Sequence, residues 1–277
     1  MDAFWFGTAL IAYGISAILY TILSLFDRLT LGKWAVTVAI LGVICHTVGL
    51  IIRTIAANHA PFTNLYESLV FSSWSMVIFY LIIEYRYRTR VVGGFIMWMA
   101  FLTIGYASLL HNSVKQITPL VPALQSHWLE FHVAACFLAY AAFAVAFGYG
   151  IVYLCKTRGS QQSVVGENRK SDDLSHDLAM IDELTYKTVR VGLLLLTIGI
   201  VTGAVWANYA WGTYWSWDPK ETWALVTWLV YIIYLHARMT TDWQGKRAAW
   251  LAIIGFMVVI FTYLGVNLLM KGLHSYI

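Results

Sequence analysis

Aromatic side chains crowd into one short segment of this chain. Residues 206–228 hold six of the 13 tryptophans among 277 residues. Four flat side chains lie in the part of the segment that precedes a predicted helix: Trp211, Tyr214, Trp215 and Trp217. One interpretation is an interfacial belt, in which Trp and Tyr lie at the level of the lipid headgroups. The other is a platform for a large planar ligand, because a belt does not require so many rings on one loop.

The same segment contains the start of a helix. Asp218 is a favourable N-cap residue, Pro219 suits the first helical position, and Glu221 completes a capping box. A second start is predicted upstream, where Asn64 and Glu67 cap another apolar run and serve as scaffold. The first cap fixes the point at which the aromatic loop ends.

Two histidines lie at the same predicted depth as this loop. His132 opens one predicted span, and His274 follows the last one. Each alone is compatible with an interfacial histidine that bonds water or a carbonyl group. As a pair that brackets the aromatic loop, two neutral imidazoles suit the axial positions of a haem iron, whose porphyrin favours flat apolar contacts.

His236 lies near the opposite end of its predicted span. An ionisable side chain inside a membrane is by default a candidate functional residue, although a histidine at a helix end can also bond the last carbonyls. His46, in the middle of the second span, is a weaker ligand candidate that we expect to pack against a polar partner.

The chain has no phosphate loop, no H-E-x-x-H and no G-x-S-x-G motif, which excludes kinases and common hydrolases.

The elements that must position these residues are apolar helices. The composition is 60% hydrophobic and 12% charged, which indicates an all-α, polytopic membrane bundle and gives no indication of nucleic-acid binding. About 20 apolar residues cross the hydrocarbon core. We therefore predict one membrane domain over residues 1–277 with eight spans: 4–26, 35–57, 67–85, 91–110, 132–154, 188–207, 221–238 and 249–270.

The distribution of lysine and arginine predicts the orientation of these spans. Basic residues concentrate in alternate connections, which the positive-inside rule assigns to the cytoplasm, so both termini are expected outside. The outer face then carries the aromatic loop, the C-terminal tail and two further candidate loops, 58–66 and 111–131. The long inner connection, 156–187, carries Leu174, Leu178 and Ile181 at helical spacing, which predicts a short helix lying on the inner membrane surface.

The segment from Trp211 to Trp223, WGTYWSWDPKETW, resembles the signature of the WWD-domain haem-handling family. Within that family, three further segments are similar to the CcsA (ResC) proteins of System II cytochrome c biogenesis: APFTNLYES at 60–68, YLHAR at 234–238 and GLHSY at 272–276. By position, His132 and His274 match the two external axial ligands, and His236 matches the intramembrane ligand. The resemblance also implies that one set of residues contacts the cofactor: Trp211, Tyr214, Trp215, Trp217, Asp218 and Trp223.

The resemblance implies a cofactor, partners and a reaction. The cofactor is haem b (protohaem IX), and the partners are a CcsB/ResB-like membrane subunit, apocytochrome c and thiol-reducing thioredoxin-like proteins. With its partner subunit, the chain would act as a haem lyase. Two thiols of a C-x-x-C-H motif in apocytochrome c would add across the haem vinyl groups, and the lyase would hold the reactants in position. A bacterial cytoplasmic membrane is implied, with a thylakoid membrane as the alternative. Two other functions stay open: a haem exporter without attachment activity, and a haem-free structural subunit.

Overall fold

The computed structural model of this protein describes residues 1–26, 29–162, 168–270 and 272, and within these ranges the secondary structure is helical. The all-α prediction is therefore confirmed. The α-helices are α1 (Asp2–Phe26), α2 (Leu29–Ala57), α3 (Leu65–Tyr87), α4 (Gly93–Leu109), α5 (Asn112–Lys115), α6 (His127–Gln162), α7 (Asn168–Trp211), α8 (Pro219–Thr240), α9 (Lys246–Ile260) and α10 (Val266–Leu269). A π-helical segment, Phe261–Gly265, joins the last two.

Six helical stretches in the described part of the chain are long and apolar enough to cross a membrane. They are Asp2–Phe26, Thr30–Ala57, Leu65–Tyr87, His127–Gly159, Leu174–Trp211 and Lys246–Leu269. Each overlaps one of the eight predicted spans. The other two correspond to α4, an apolar helix of 17 residues, and to α8, whose aromatic and charged residues make it less apolar. The membrane bundle is confirmed, whereas the count of eight spans and the side of the termini stay predictions.

The central helix of the bundle is α6, which packs against α3, α7 and α9. Its middle turns are rich in small residues, and Ala139, Ala142 and Ala146 are fully buried. Small side chains let neighbouring helices approach closely. Larger rings fill the space between them, and Phe143 stacks on Tyr231 of α8 with 3.6 Å between ring centroids.

The prediction of a separate surface helix near Leu174 is wrong. Leu174, Leu178 and Ile181 belong to α7, which runs without interruption from Asn168 to Trp211. At 1.5 Å per residue, its 44 residues extend about 66 Å, roughly twice the thickness of the hydrocarbon core. Ile181 is buried, and Lys156 of α6 forms an ion pair with Asp177 of α7. The residues near Leu174 are therefore part of the long α6–α7 pair and do not form a short helix of their own.

Buried ion pairs hold the connections at both ends of the bundle. At the end that carries the aromatic loop, called the Trp-rich end here, Arg53 of α2 bonds the carboxylates of Glu67 and Asp2 at 2.8 and 3.0 Å. Asn64 caps α3 by accepting a hydrogen bond from the Glu67 N–H at 2.9 Å, as predicted. At the opposite end, called the basic end, Asp182 of α7 accepts hydrogen bonds from Arg238 and from the N–H of Gly245.

Candidate functional site

A cavity opens at the Trp-rich end between α3, α6, α7, α8 and the segment after α9. The empty space inside it is about 1290 Å³, including the part that opens to solvent. Ligand pockets in proteins combine apolar walls with a few polar groups. This cavity has that character, because Val133, Phe137, Ile200 and Trp215 line it beside a small number of hydroxyl and charged groups. It suits a mainly apolar ligand.

His132 lies on the α6 wall of this cavity. Its Nδ1 is 2.7 Å from the backbone carbonyl of Gly199 on α7. A carbonyl oxygen only accepts hydrogen bonds, so Nδ1 carries the proton and Nε2 carries the lone pair of the neutral ring. Histidines that bind metals commonly donate the other ring N–H to a carbonyl in this way, which fixes the tautomer and the orientation of the ring. The local structure therefore prepares His132 as a nitrogen ligand.

Two glycines of α7 allow α6 to approach closely enough for this bond. A Cβ on Gly203 would lie 2.5 Å from His132 Nδ1, and a Cβ on Gly199 would lie 2.6 Å from the Cys136 sulfur. Neither distance is compatible with ordinary packing, since non-bonded carbon atoms pack about 3.5–4.0 Å apart. Gly199 and Gly203 are therefore packing residues, and the residue that Gly203 accommodates is the ligand candidate.

A cluster of large aromatic side chains supports the His132 ring. Trp206 of α7 stacks near it, with ring centroids 6.0 Å apart and planes inclined by 19°. Trp206 is buried and donates its indole N–H to the Ala123 carbonyl at 2.9 Å. Trp211 contacts Trp206 edge-on at 4.8 Å. This cluster joins the end of α7 to the loop before α6, so Trp211 packs behind the ligand candidate.

The structure distributes the other predicted aromatic residues over different surroundings. Tyr214 and Trp215 line the cavity, although Tyr214 is 61% exposed. Trp217 is 67% exposed, adopts a positive φ of 59° and touches Trp215 edge-on at 5.7 Å. Trp223 packs on Phe261, with 4.4 Å between the ring centroids. Only two of these four rings face the cavity, since Trp217 lies at the surface and Trp223 lies between helices.

Asp218 is buried and caps α8, as the sequence predicted. Its carboxylate accepts a hydrogen bond from the Lys220 N–H at 3.0 Å, and the capping box with Glu221 is complete. The Glu221 carboxylate also accepts a hydrogen bond from the N–H of Ser216 at 2.8 Å, which holds the loop against the helix. Gly272 lies so close that a Cβ there would overlap the Asp218 carboxylate. The chain just before His274 therefore approaches the start of α8.

The structure describes two other predicted histidines, His236 and His46, and neither lines this cavity. His274 lies outside the described residues. His236 is exposed on a face of α8 that also exposes Leu229 and Ile233, about 24 Å along the helix from Lys220. His46 is fully buried, and its Nδ1 is 3.1 Å from the hydroxyl of Tyr13, which confirms the expected polar partner. In the described ranges, no three His, Cys, Asp or Glu side chains gather as a metal site.

Several cavity residues were not predicted from the sequence. The π-helical segment places Tyr263 in the wall, where its hydroxyl is 2.8 Å from that of Ser68. Such π-helical turns often occur at functional sites. Phe62 also lines the cavity, although its loop was expected to serve only as scaffold. Apolar periodicity follows an α-helical repeat and gives no signal for a π-helical turn.

Lys220 is a further wall residue that the sequence analysis did not predict. It lies in the first turn of α8, before the predicted span 221–238. Burial lowers the pKa of its ammonium to about 8, and the nearby Asp218 carboxylate opposes this shift. The sequence signal was a lysine in the first turn of a helix, where the helix dipole disfavours a cation.

Comparison with known proteins gives a consistent set of similarities. Residues 62–274 match the family described as cytochrome C assembly protein. The cytochrome c biogenesis protein CcsA of Mesostigma viride is 42% identical, and the alignment covers 96% of this chain and 92% of that protein. The protein of the same name in Prochlorococcus marinus (strain NATL1A) is 43% identical, and the alignment covers 82% of this chain and 79% of that protein.

A solved structure shares the fold. The cytochrome c haem lyase CcmF aligns with a TM-score of 0.71 at 15% sequence identity, over 99% of this chain and 47% of that chain. This chain therefore spans about half the length of CcmF. At that identity the similarity shows a common arrangement of helices.

Proposed function

Because this chain belongs to the cytochrome c assembly protein family, and within it to the CcsA cytochrome c biogenesis proteins, we propose that its cavity holds haem b for attachment to apocytochrome c. A role in cytochrome c maturation follows from the family. The observation that carries the finer proposal is His132, whose ring is fixed by Gly199 on the wall of an apolar, partly aromatic cavity. A nitrogen donor beside flat apolar side chains fits what a porphyrin-bound iron needs.

In this proposal, His132 and His274 would hold the haem by offering ring nitrogens to its iron. Gly272 lies against the start of α8, beside the loop that contributes Tyr214 and Trp215 to the cavity, which supports a place for His274 near the same site. Haem, when bound, supplies the vinyl groups to which the two thiols of a C-x-x-C-H motif add. The residues of this chain hold the ring in place, and fixed orientation alone can lower a bimolecular barrier greatly.

The orientation proposed for the bundle puts the cavity on the outer side of the membrane. The basic end carries Arg86, Arg88, Lys187 and Arg238 and would face the cytoplasm by the positive-inside rule. The Trp-rich end would then face the periplasm or the thylakoid lumen, where apocytochrome c and thioredoxin-like reductants of its thiols would meet it.

His236 is proposed as a ligand at an earlier stage of haem handling. It lies near the basic end on an exposed apolar face of α8, about 24 Å from the cavity along the helix, so the two sites bind different irons or the same haem in succession. An exposed histidine on an apolar helix face favours a neighbouring subunit that shields it. We propose that a CcsB/ResB-like partner covers this face and contributes the second ligand there.

The proposal is tested with the chain purified together with this partner. A reduced C-x-x-C-H peptide is added to the haem-loaded complex, and the peptide is analysed for covalent haem by mass and by absorbance. An A-x-x-A-H peptide is the control for attachment. Covalent haem on the first peptide alone supports attachment activity, and haem that stays on the complex supports the exporter alternative. A preparation from haem-replete cells that contains no haem would refute both.

A further inference from the structure

The cavity contains a positive charge that ligation of iron by histidine does not account for. We propose that Lys220 is the anion-binding residue of this cavity and pairs with a propionate carboxylate of the bound haem. This inference rests on the proposed function, because it assigns a role in the same site. It makes Lys220 a positioning residue for the porphyrin.

The position of Lys220 is fixed by its backbone. Its N–H donates to the Asp218 carboxylate in the first turn of α8, and the residue lines the same cavity as Trp215 and Ala224. Among the residues that the structure describes, no hydrogen-bond or ion-pair partner lies within reach of its ammonium group, although Asp218 acts on it over a longer distance. Lys220 therefore brings a charge to the cavity wall, and no described acid forms an ion pair with it.

The two acids nearest to Lys220 in the sequence already make other contacts. The Asp218 carboxylate forms the cap of α8. The Glu221 carboxylate accepts hydrogen bonds from the N–H groups of Ser216 and Asp218 and from the Ser216 hydroxyl. Each acid is thus held by the loop and the helix start.

Two physical effects then favour an anion that arrives with the ligand. A charge that is largely removed from water is costly unless a partner balances it. The N-terminus of α8 adds a partial positive charge, so Lys220 and the helix dipole repel one another and both attract an anion. A carboxylate in the cavity would satisfy both.

The other residues that line the cavity limit which carboxylate-bearing ligand can bind there. Phe62, Phe137, Trp215 and Tyr263 surround the space with rings, and His132 offers a nitrogen donor. A ligand that fits must be broad and apolar, bind a nitrogen donor through a metal, and carry a negative charge at one edge. Haem b meets all three conditions through its macrocycle, its iron and its propionates. With the propionates held at Lys220, the vinyl groups are left on the other side of the ring for the thiols.

The test compares haem b with its dimethyl ester, in which both propionates are neutral. Each porphyrin is titrated into the full-length chain, purified with its membrane partner and freed of haem, and binding is followed by the Soret absorbance. We expect the wild type to bind haem b at least about tenfold more tightly than the ester, since a charge-assisted hydrogen bond is lost. Lys220→Met should remove that preference by weakening the binding of haem b alone. Lys220→Arg should retain it.

Lys115→Met is the matched control. Lys115 lies at the same end of the bundle, donates to the Ser108 carbonyl and is not part of the cavity wall, so this change removes an equal charge elsewhere. It should leave the preference for haem b unchanged. A wild-type complex that binds both porphyrins equally would overturn the inference, even if Lys220→Met failed to fold. A Lys220→Met complex with the full preference would also overturn it, whereas a wild type that binds neither porphyrin would refute the proposed function itself.

Discussion

Gly203→Ala is the sharpest test of how the structure prepares His132. The added Cβ would lie 2.5 Å from His132 Nδ1, so the imidazole must move by about 1 Å to regain an ordinary contact of about 3.5 Å. The bond from Nδ1–H to the Gly199 carbonyl, now 2.7 Å, would lengthen beyond hydrogen-bonding distance. Loss of such an outer-shell partner typically lowers metal affinity by about 10- to 100-fold. We expect a loss of haem affinity in that range.

The assay is the haem content and visible spectrum of the complex purified from haem-replete cells, together with the yield of mature cytochrome c. Gly105→Ala is the matched control, because a Cβ on Gly105 of α4 would meet only Leu10 at an ordinary 3.6 Å. Both variants should insert and fold, since alanine is the better helix former. If Gly203→Ala kept the haem content and spectrum of the wild type, the orientation of His132 by Gly199 would not govern ligation.

The remaining predictions concern the cavity wall and the start of α8. His132→Ala should lose one axial ligand, and imidazole added to the medium should partly restore cytochrome c maturation; unaltered spectra would contradict this. Asp218→Asn should keep the cap and resemble the wild type, whereas Asp218→Ala should cost about 1 kcal/mol of stability, measured by thermal unfolding. Trp215→Phe should retain more haem than Trp215→Ala, since a ring still faces the ligand. The preference for haem b over its ester should decline as the pH rises above about 8, because Lys220 then loses its proton. Asp218 and Cys136 also influence the pKa of Lys220. A preference independent of pH from 7 to 9.5 would argue against the pairing of Lys220 with a propionate.

Local signals in the sequence were sufficient to predict the helices and their caps. Apolar runs located the long helices, and Asp218 with Glu221 located the start of α8, because these features depend on neighbouring residues. His132 was found because topology put it at the depth of the aromatic loop. Its bond to Gly199, 67 residues away, depends on how α6 and α7 pack, and no local pattern encodes that contact.

The directions in which the aromatic side chains point could not be predicted from the sequence either. Trp215 and Trp217 are two residues apart in the same loop, yet one lines the cavity and the other is mostly exposed with a positive φ. Trp223, which belongs to the same motif, packs against Phe261. A motif identifies the residue types that a site needs, whereas the backbone of the loop decides which of them reach the ligand.

The length of α7 couples the two ends of the bundle mechanically. Ile181 is buried near the basic end, and Gly199 lies 18 positions further on, about 27 Å along the same helix axis. If α7 pivots on α6 near Ile181, a change of about 2° in the angle between them moves the Gly199 carbonyl by about 1 Å relative to His132, enough to break their bond. In that case, packing near Ile181 would set the stiffness with which the imidazole is held at the Trp-rich end.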